Sequence, residues 1–400
     1  MEEEIPEPHL STLVGHIRVA IGTMLKVIRK KCKEVVPSVD ANLIQSCLRL
    51  LHTFLGEKGL DLKKAVLPNP VKAVCTYMTF CIVWSLGANL HDDSRATFAS
   101  ALHDVLKPRF PELPDGDVYE YGIDMELHKL ESWSEQIPTF TYDPNMSFFS
   151  VLVPTSDTVK YKYLLHTLVG AGHNVLITGE TGVGKSVVTK DFLATAPDTI
   201  VSACVNFSGK TTTKNLQDAF EGNLEAKRKT LLGPPGGKKM IFFIDDVNMP
   251  QLDRYGSQPP CELLRQTIDS TGFYDTKKLI FKQVKDTNYV CACAPPGGGR
   301  NAVTPRLFRH FNMIWVPELS EASMKTIFTS ILKGFLDQNE QSGLNIFAEP
   351  VIKASVDLYQ NTISDFLPTP AKCHYTFNLR DLSKVVQGIL MISLNNLEDK

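Results

Sequence analysis

The sequence predicts an α/β domain of the P-loop type for its middle third, a five-stranded parallel sheet flanked by helices, with helical domains on both sides. Three observations lead there. Short continuous apolar runs alternate with helical patterns between residues 175 and 316, as in parallel strands covered on both faces. The octet Gly179-Glu-Thr-Gly-Val-Gly-Lys-Ser186 follows the first of these runs and precedes a helical one, which is the setting a phosphate-binding loop requires. Outside that window apolar residues recur at three- and four-residue steps, the helical period.

Composition sets limits on function. The 400 residues are 43% hydrophobic and 22% charged, enough apolar material for cores in two or three domains. A formal net charge of −2 provides no general attraction to nucleic acid or to an anionic membrane. Nine cysteines lie mostly in apolar runs without a C-x-x-C pair, so they are expected as reduced core residues of a cytosolic protein. The acidic start Met1-Glu-Glu-Glu4 lacks the basic and apolar segments of a signal peptide.

In chain order, Ile17, Ile21, Met24, Leu25 and Ile28 continue a face that begins at Leu10 and Leu13, and Arg29-Lys30-Lys31 falls where a helix dipole favours cations. A second helix follows Pro37 and Ser38, with Leu43, Cys47, Leu48, Leu51 and Leu55 on its face and Gly56 and Gly59 at its end. Residues 73–90 carry no charge, but Thr76, Tyr77, Thr79, Ser85, Gly87 and Asn89 interrupt them, so a buried helix is expected and not a membrane span. A further amphipathic helix surrounds Arg95 to Leu106. From Lys107 to Asn145 the Pro-, Asp- and Tyr-rich composition predicts a linker lying over a surface. Strands follow at 175–178, 200–207, 240–244, 289–294 and 313–316, and helices return after Ser320. The expected domains are therefore 1–145, 146–320 and 321–400.

Chemistry concentrates at two places. In the glycine-rich octet, Gly179, Glu180, Thr181, Gly182, Val183 and Gly184 let backbone N–H groups surround a polyphosphate at a helix N-terminus. Lys185 is expected to reach the β- and γ-phosphates, and Ser186 to ligate Mg²⁺. The apolar run Met240–Ile244 then ends in Asp245 and Asp246, where a doubly wound sheet places ligands. Asp245 suits the Mg²⁺ side, and Asp246 suits either polarisation of the attacking water or a plain turn cap. Cys291 and Cys293 are expected to pack in a strand, and no histidine forms a zinc pattern.

These motifs together resemble a dynein heavy chain of the axonemal type, and within it the third AAA+ module. The resemblance rests on LITGETGVGKS, FFIDDVNMP, the stretch from Tyr255 to Gln266, Gly272-Phe-Tyr-Asp, Ala294-Pro-Pro-Gly-Gly-Gly-Arg300 and Phe377-Asn-Leu-Arg-Asp-Leu. It implies that residues 1–145 are the helical small domain of the preceding module with its linker, 146–320 the large AAA+ domain, and the rest part of its small domain. It implies an adenine contact for Val153 and Pro154, before a helix capped at Ser156 or Asp157; a plain helix entry is the alternative. Arg380 would be the small-domain arginine at the γ-phosphate, or a solvated helix arginine. Arg306 and Arg309 would be arginine fingers acting in trans on a neighbouring module, or structural ion-pair residues.

The resemblance further implies ATP or ADP with Mg²⁺ as cofactors, and neighbouring AAA+ modules of a ring as partners. Intermediate and light chains and microtubules would be reached only through a full heavy chain, and the place of work would be the cytoplasm, cytoskeleton and ciliary axoneme. Neither nucleic acid nor a membrane is expected as a partner. Two departures bear on turnover. Asp246 stands where Glu is common, one methylene shorter, and Ala294 stands where a polar sensor residue is usual. The expectation is a regulatory site with slow or conditional hydrolysis, and the alternative is a structural module held together by nucleotide without turnover. A nucleic-acid remodeller is disfavoured for want of a basic groove with interleaved aromatics, and a GTPase for want of Asn-Lys-x-Asp.

Overall fold

The structure, a computed structural model, describes residues 7–56, 70–108, 110–111, 113–148, 151–297, 299–338, 343–367, 369, 371–372 and 374–392. Met1–Glu4, Gly59, Gly298, Cys373 and the side chains of Leu10 and Leu13 lie outside this description.

Four helices open the chain: α1 (Glu7–Lys31), α2 (Asp40–Leu55), α3 (Pro70–Val83) and α4 (Asp92–Leu106). The three basic residues ending α1 do serve a helix end, and Arg29 also pairs with Asp40 at 2.7 Å. On α2 the buried side comprises Leu43, Cys47, Leu50, Leu51, Phe54 and Leu55, whereas Leu48, expected inside, is exposed. The uncharged stretch is helical only to Val83, and residues to Leu90 continue it as buried turns. Among the described residues no helix is long and apolar enough to cross a membrane.

The expected linker proves to be folded. A hairpin of β1 (Tyr121–Asp124) and β2 (Lys129–Ser132) lies within it, and Phe110, Leu113, Tyr119, Ile123 and Trp133 are buried in the same core as the helices. Its prolines and carboxylates are loop-like, but the aromatics between them supply enough apolar area to fold. Tyr119 also donates its hydroxyl to the carbonyl of Gly87 at 3.0 Å. Only a residue without a side chain fits at position 87, because a Cβ there would lie 2.4 Å from that hydroxyl.

The α/β domain runs α5 (Ser156–Gly170), β3 (Val175–Gly179), α6 (Lys185–Ala194), β4 (Ile200–Asn206), α7 (Thr213–Asn223), β5 (Glu225–Arg228), β6 (Leu231–Gly233), β7 (Lys239–Asp245), α8 (Pro259–Asp269), β8 (Gly272–Tyr274), β9 (Phe281–Val284), β10 (Thr287–Cys293), α9 (Pro305–Phe308) and β11 (Asn312–Val316). The five predicted strands form one parallel sheet in the order β11-β3-β10-β7-β4. A second, four-stranded sheet of β5, β6, β9 and β8, not predicted, stands beside it. Cys291 and Cys293 are buried as expected, whereas Cys204, on β4, is exposed.

The first four helices share a continuous core with this sheet. Trp84 meets Tyr119 and Tyr161 edge-on, at centroid distances of 5.7 and 6.4 Å. The outer strand β11 is tied to the same helical region, because Trp315 donates its N–H to the carbonyl of Ala88 at 2.7 Å and its indole N–H to Asp92 at 3.0 Å. The remaining helices are α10 (Glu321–Leu336), α11 (Ala348–Asp365) and α12 (Leu379–Leu390). They enclose a small core of their own around Phe328, Leu332, Ile352, Val356, Leu382 and Val386.

Candidate nucleotide-binding site

The glycine-rich octet forms a tight turn between β3 and α6, made possible by Gly182 and Gly184 at φ 95° and 90°, a region that glycine enters without steric cost. The turn leaves the first N–H groups of α6 unpaired within the helix, the arrangement that attracts anions. Lys185 Nζ donates to the carbonyls of Gly179 and Glu180, at 2.8 and 2.7 Å. Burial holds the Lys185 amine below its usual pKa, an effect partly offset by the carboxylates of Asp246 and Asp245. The adjacent Cys293 thiol is pushed up to about 12 by burial and stays neutral at physiological pH.

Parallel register brings β7 to the same end of the sheet as β3. Asp245 is its last residue, and Ser186 donates its hydroxyl to Asp245 Oδ2 at 2.6 Å. Asp246 follows with φ 54°, a left-handed conformation that Asp enters more readily than most residues. Its carboxylate lies 3.9 Å from Arg300 Nη2.

A cavity of about 660 Å³ surrounds these groups. It is lined by Thr181 to Ser186, Asp245, Asp246, Arg300 and Arg380, with Val153, Phe148, Phe328 and Ile331 among its apolar lining. Pro154, Gly179 and Glu180 do not line it, although the last two supply the carbonyls that hold Lys185. The helix after Val153 is capped by Thr155, in a reciprocal box with Thr158, and not by Ser156 or Asp157. All of these residue types can cap, so composition alone left the position open. The N-terminus of α12 closes over the turn: a Cβ on Gly182 would lie 3.4 Å from Leu379 N, and the neighbouring Arg380 lines the cavity from that side. Arg306 and Arg309 are exposed and outside the cavity, and Arg309 Nη2 pairs with Asp269 at 3.2 Å.

Charge separates this cavity from a larger open cleft, about 1100 Å³, beside α4 and α5. The cleft carries six carboxylates against Arg95, Lys107 and Lys160. In the smaller cavity Lys185, Lys190, Arg300, Arg380 and Lys384 outnumber Asp157, Asp245 and Asp246. Only the second suits a polyanion.

Residues 140–319 match the family described as the P-loop containing dynein motor region, and residues 14–135 match the dynein heavy chain AAA lid domain. The chain belongs to the dynein heavy chain family. Residues 351–399 match the AAA+ lid domain family. The chain is 44% identical over 386 residues to human dynein axonemal heavy chain 6, covering 94% of this chain and 9% of that one. It is 40% identical over 415 positions to mouse dynein axonemal heavy chain 1, covering 94% and 10%. With mouse dynein axonemal heavy chain 2 the identity is 36% over 390 residues, covering 97% and 9%. The chain thus spans about a tenth of the length of these heavy chains. As a P-loop segment of the dynein motor region, it is a nucleotide-binding AAA+ protein.

The residues present fit a bound Mg²⁺ nucleotide. Mg²⁺ keeps most of its water and takes one or two protein oxygens besides phosphate, and the paired Ser186 hydroxyl and Asp245 carboxylate supply such a set. Sequence reasoning assigned no role to Arg300, which reaches the cavity from the loop after β10. Its signal was the arginine ending the glycine run, which only the folded loop places beside Asp246.

Proposed function

We propose that this dynein segment binds ATP with Mg²⁺ at a regulatory site, in the position of the third AAA+ module, and hydrolyses it slowly or conditionally. Within a full axonemal heavy chain it would stand beside other AAA+ modules in a ring and contribute to microtubule-based movement in the cilium.

The observation that carries the reading is the pairing of Ser186 with Asp245 at the foot of the glycine turn, inside a cavity whose cations exceed its carboxylates. The α6 N-terminus and the Lys185 ammonium would bind the phosphates, and the apolar lining at Val153 and Phe328 would take the base. Mg²⁺ would neutralise phosphate charge, held through Ser186 and the water-bridging carboxylate of Asp245. Asp246 would orient a water as base, and Arg380 would approach the terminal phosphate from the α12 side. Two features favour slow turnover. Asp246 reaches one methylene less far than Glu, and misplacement by about 1 Å can cost on the order of 100-fold in rate. The end of β10 offers only Ala294, whose carbonyl already accepts a hydrogen bond from Asn248 at 2.7 Å.

Calorimetric titration tests the binding reading. Mg-ATP should bind the wild-type chain, and Lys185→Ala should abolish detectable binding while leaving the fold intact, since charged phosphate contacts are worth about 1.5–3 kcal/mol each. Unchanged affinity in a folded Lys185→Ala variant would remove the proposal. A nucleotide-held structural module is the second reading, favoured by the close approach of α12 to the glycine turn. Steady-state phosphate release that disappears with Lys185→Ala decides between the two.

A further inference from the structure

Arg300 is a cation of the cavity that no expected role accounts for, and it stands beside Asp246. The loop that carries it is held at both sides. Gly297 and Arg300 exchange backbone hydrogen bonds at 3.1 and 3.0 Å, Asn301 N donates to Asn248 O at 3.0 Å, and Asn301 Nδ2 donates to Pro250 O at 2.9 Å. The loop after β10 is thereby fastened to the loop after β7, and the guanidinium is presented from a clamped backbone.

Its charge is only loosely engaged. The 3.9 Å separation from Asp246 exceeds the roughly 2.7–2.9 Å of a direct charged hydrogen bond. The buried Nε finds no acceptor in the protein, a costly arrangement unless a ligand supplies one. The guanidinium stands next to Asp246, which follows the Asp245 carboxylate that Ser186 of the glycine turn meets, and it lines the same cavity. That is where the last phosphate of a nucleotide held by the glycine turn would lie. Arg309, by contrast, is exposed and already paired with Asp269.

We propose that Arg300 contacts the terminal phosphate of the bound triphosphate in cis, supplying the polar group that Ala294 lacks. The inference rests on the nucleotide reading above and adds to it a residue that distinguishes ATP from ADP. A planar fork of N–H donors matches a phosphate with two or three free oxygens, and only the triphosphate brings such a group to this wall. Arg380 would meet the same phosphate from α12, so two arginines from different domains would converge on it.

Nucleotide selectivity provides the test. The 400-residue wild-type chain, Arg300→Gln and Arg300→Lys are titrated with Mg-ADP and with the Mg complex of the non-hydrolysable β,γ-imido analogue of ATP, and thermal midpoints are measured without nucleotide. The expected result for Arg300→Gln is a loss of about ten- to a hundredfold in triphosphate affinity, the scale of a charged hydrogen bond, with ADP affinity changed less than about twofold. Arg300→Lys should recover part of the loss. Equal losses for the two nucleotides, or no loss for either, overturn the proposal. Should Arg300→Gln fail to fold, the triphosphate-to-diphosphate ratio of Arg300→Lys decides, since a lysine that leaves the ratio at the wild-type value is incompatible with a forked contact. Wild-type protein that binds neither nucleotide sinks the nucleotide reading itself, a result distinct from any loss of selectivity.

Discussion

The helices α1 to α4 and the helices α10 to α12 flank the same sheet but meet it differently. The first set runs its core without a break into β3, β10 and β11, through a chain of aromatics in which Phe80, Trp133 and Tyr163 lie within 6.4 Å of one another. The second set closes a separate core and faces the sheet across the cavity proposed for nucleotide, to which Phe328, Ile331 and Arg380 contribute. It also keeps large apolar side chains in the open, among them Leu358, Leu367 and Met391. Direct apolar burial holds the first pair of domains, so their relative position is expected to be independent of ligand. The second pair shares the cavity proposed for nucleotide, so its geometry is the one that a bound nucleotide would change.

The comparison can be broken by a mutation in the first core. Trp133→Ala removes a fully buried indole and should cost about 3–5 kcal/mol. Denaturant unfolding should show that loss in one transition shared by α1 to α4 and the sheet, and hydrogen exchange in α11 should stay at its wild-type level. An independent transition for the first four helices would contradict the continuous core.

A smaller effect sharpens the contrast. Mg-ATP at about 100 times its Kd should stabilise by about 2.7 kcal/mol, and exchange should slow in the glycine turn and in α10 and α12 but not in α2 or α3. Equal slowing in both helical sets would mean that nucleotide is felt through the first interface too.

The smallest change expected is at Arg309. Exposed ion pairs are worth about 0–1 kcal/mol, so Arg309→Ala should shift stability by less than that and leave the isolated chain's ATP affinity within about twofold by titration. A tenfold loss of affinity would place Arg309 in this chain's own site and end its assignment to a neighbouring module.

These contrasts were only partly legible in the sequence. Each strand of the main sheet is a nearly unbroken apolar run, as in Met240–Ile244, and such a run buried on both faces has few alternative structures. The glycine turn was readable because phosphate binding needs those residue types in that order. The second sheet was not, since its strands have three or four residues and β5 is exposed at every position. Its pairing depends on partners up to 52 residues away, as Leu231 with Gln283, a separation that no local pattern records. Arg300 was hidden for a similar reason, because its place beside Asp246 depends on the long-range tie between Asn301 and Asn248. The segment from Phe110 to Trp133 misled through its prolines and carboxylates, while its buried tyrosine and tryptophan carried the opposing signal.

The bond from Trp315 to Ala88 has a practical consequence. β11 is an outer strand, buried at all five positions, and the helical region before it covers the side that β3 does not. A fragment cut to begin near residue 140 would bare that strand's hydrogen-bonding edge together with the apolar surface around Tyr161. An exposed apolar edge is a template for a strand from another molecule. Such a fragment is expected to aggregate more readily than one that carries the preceding helices, however intact its glycine turn.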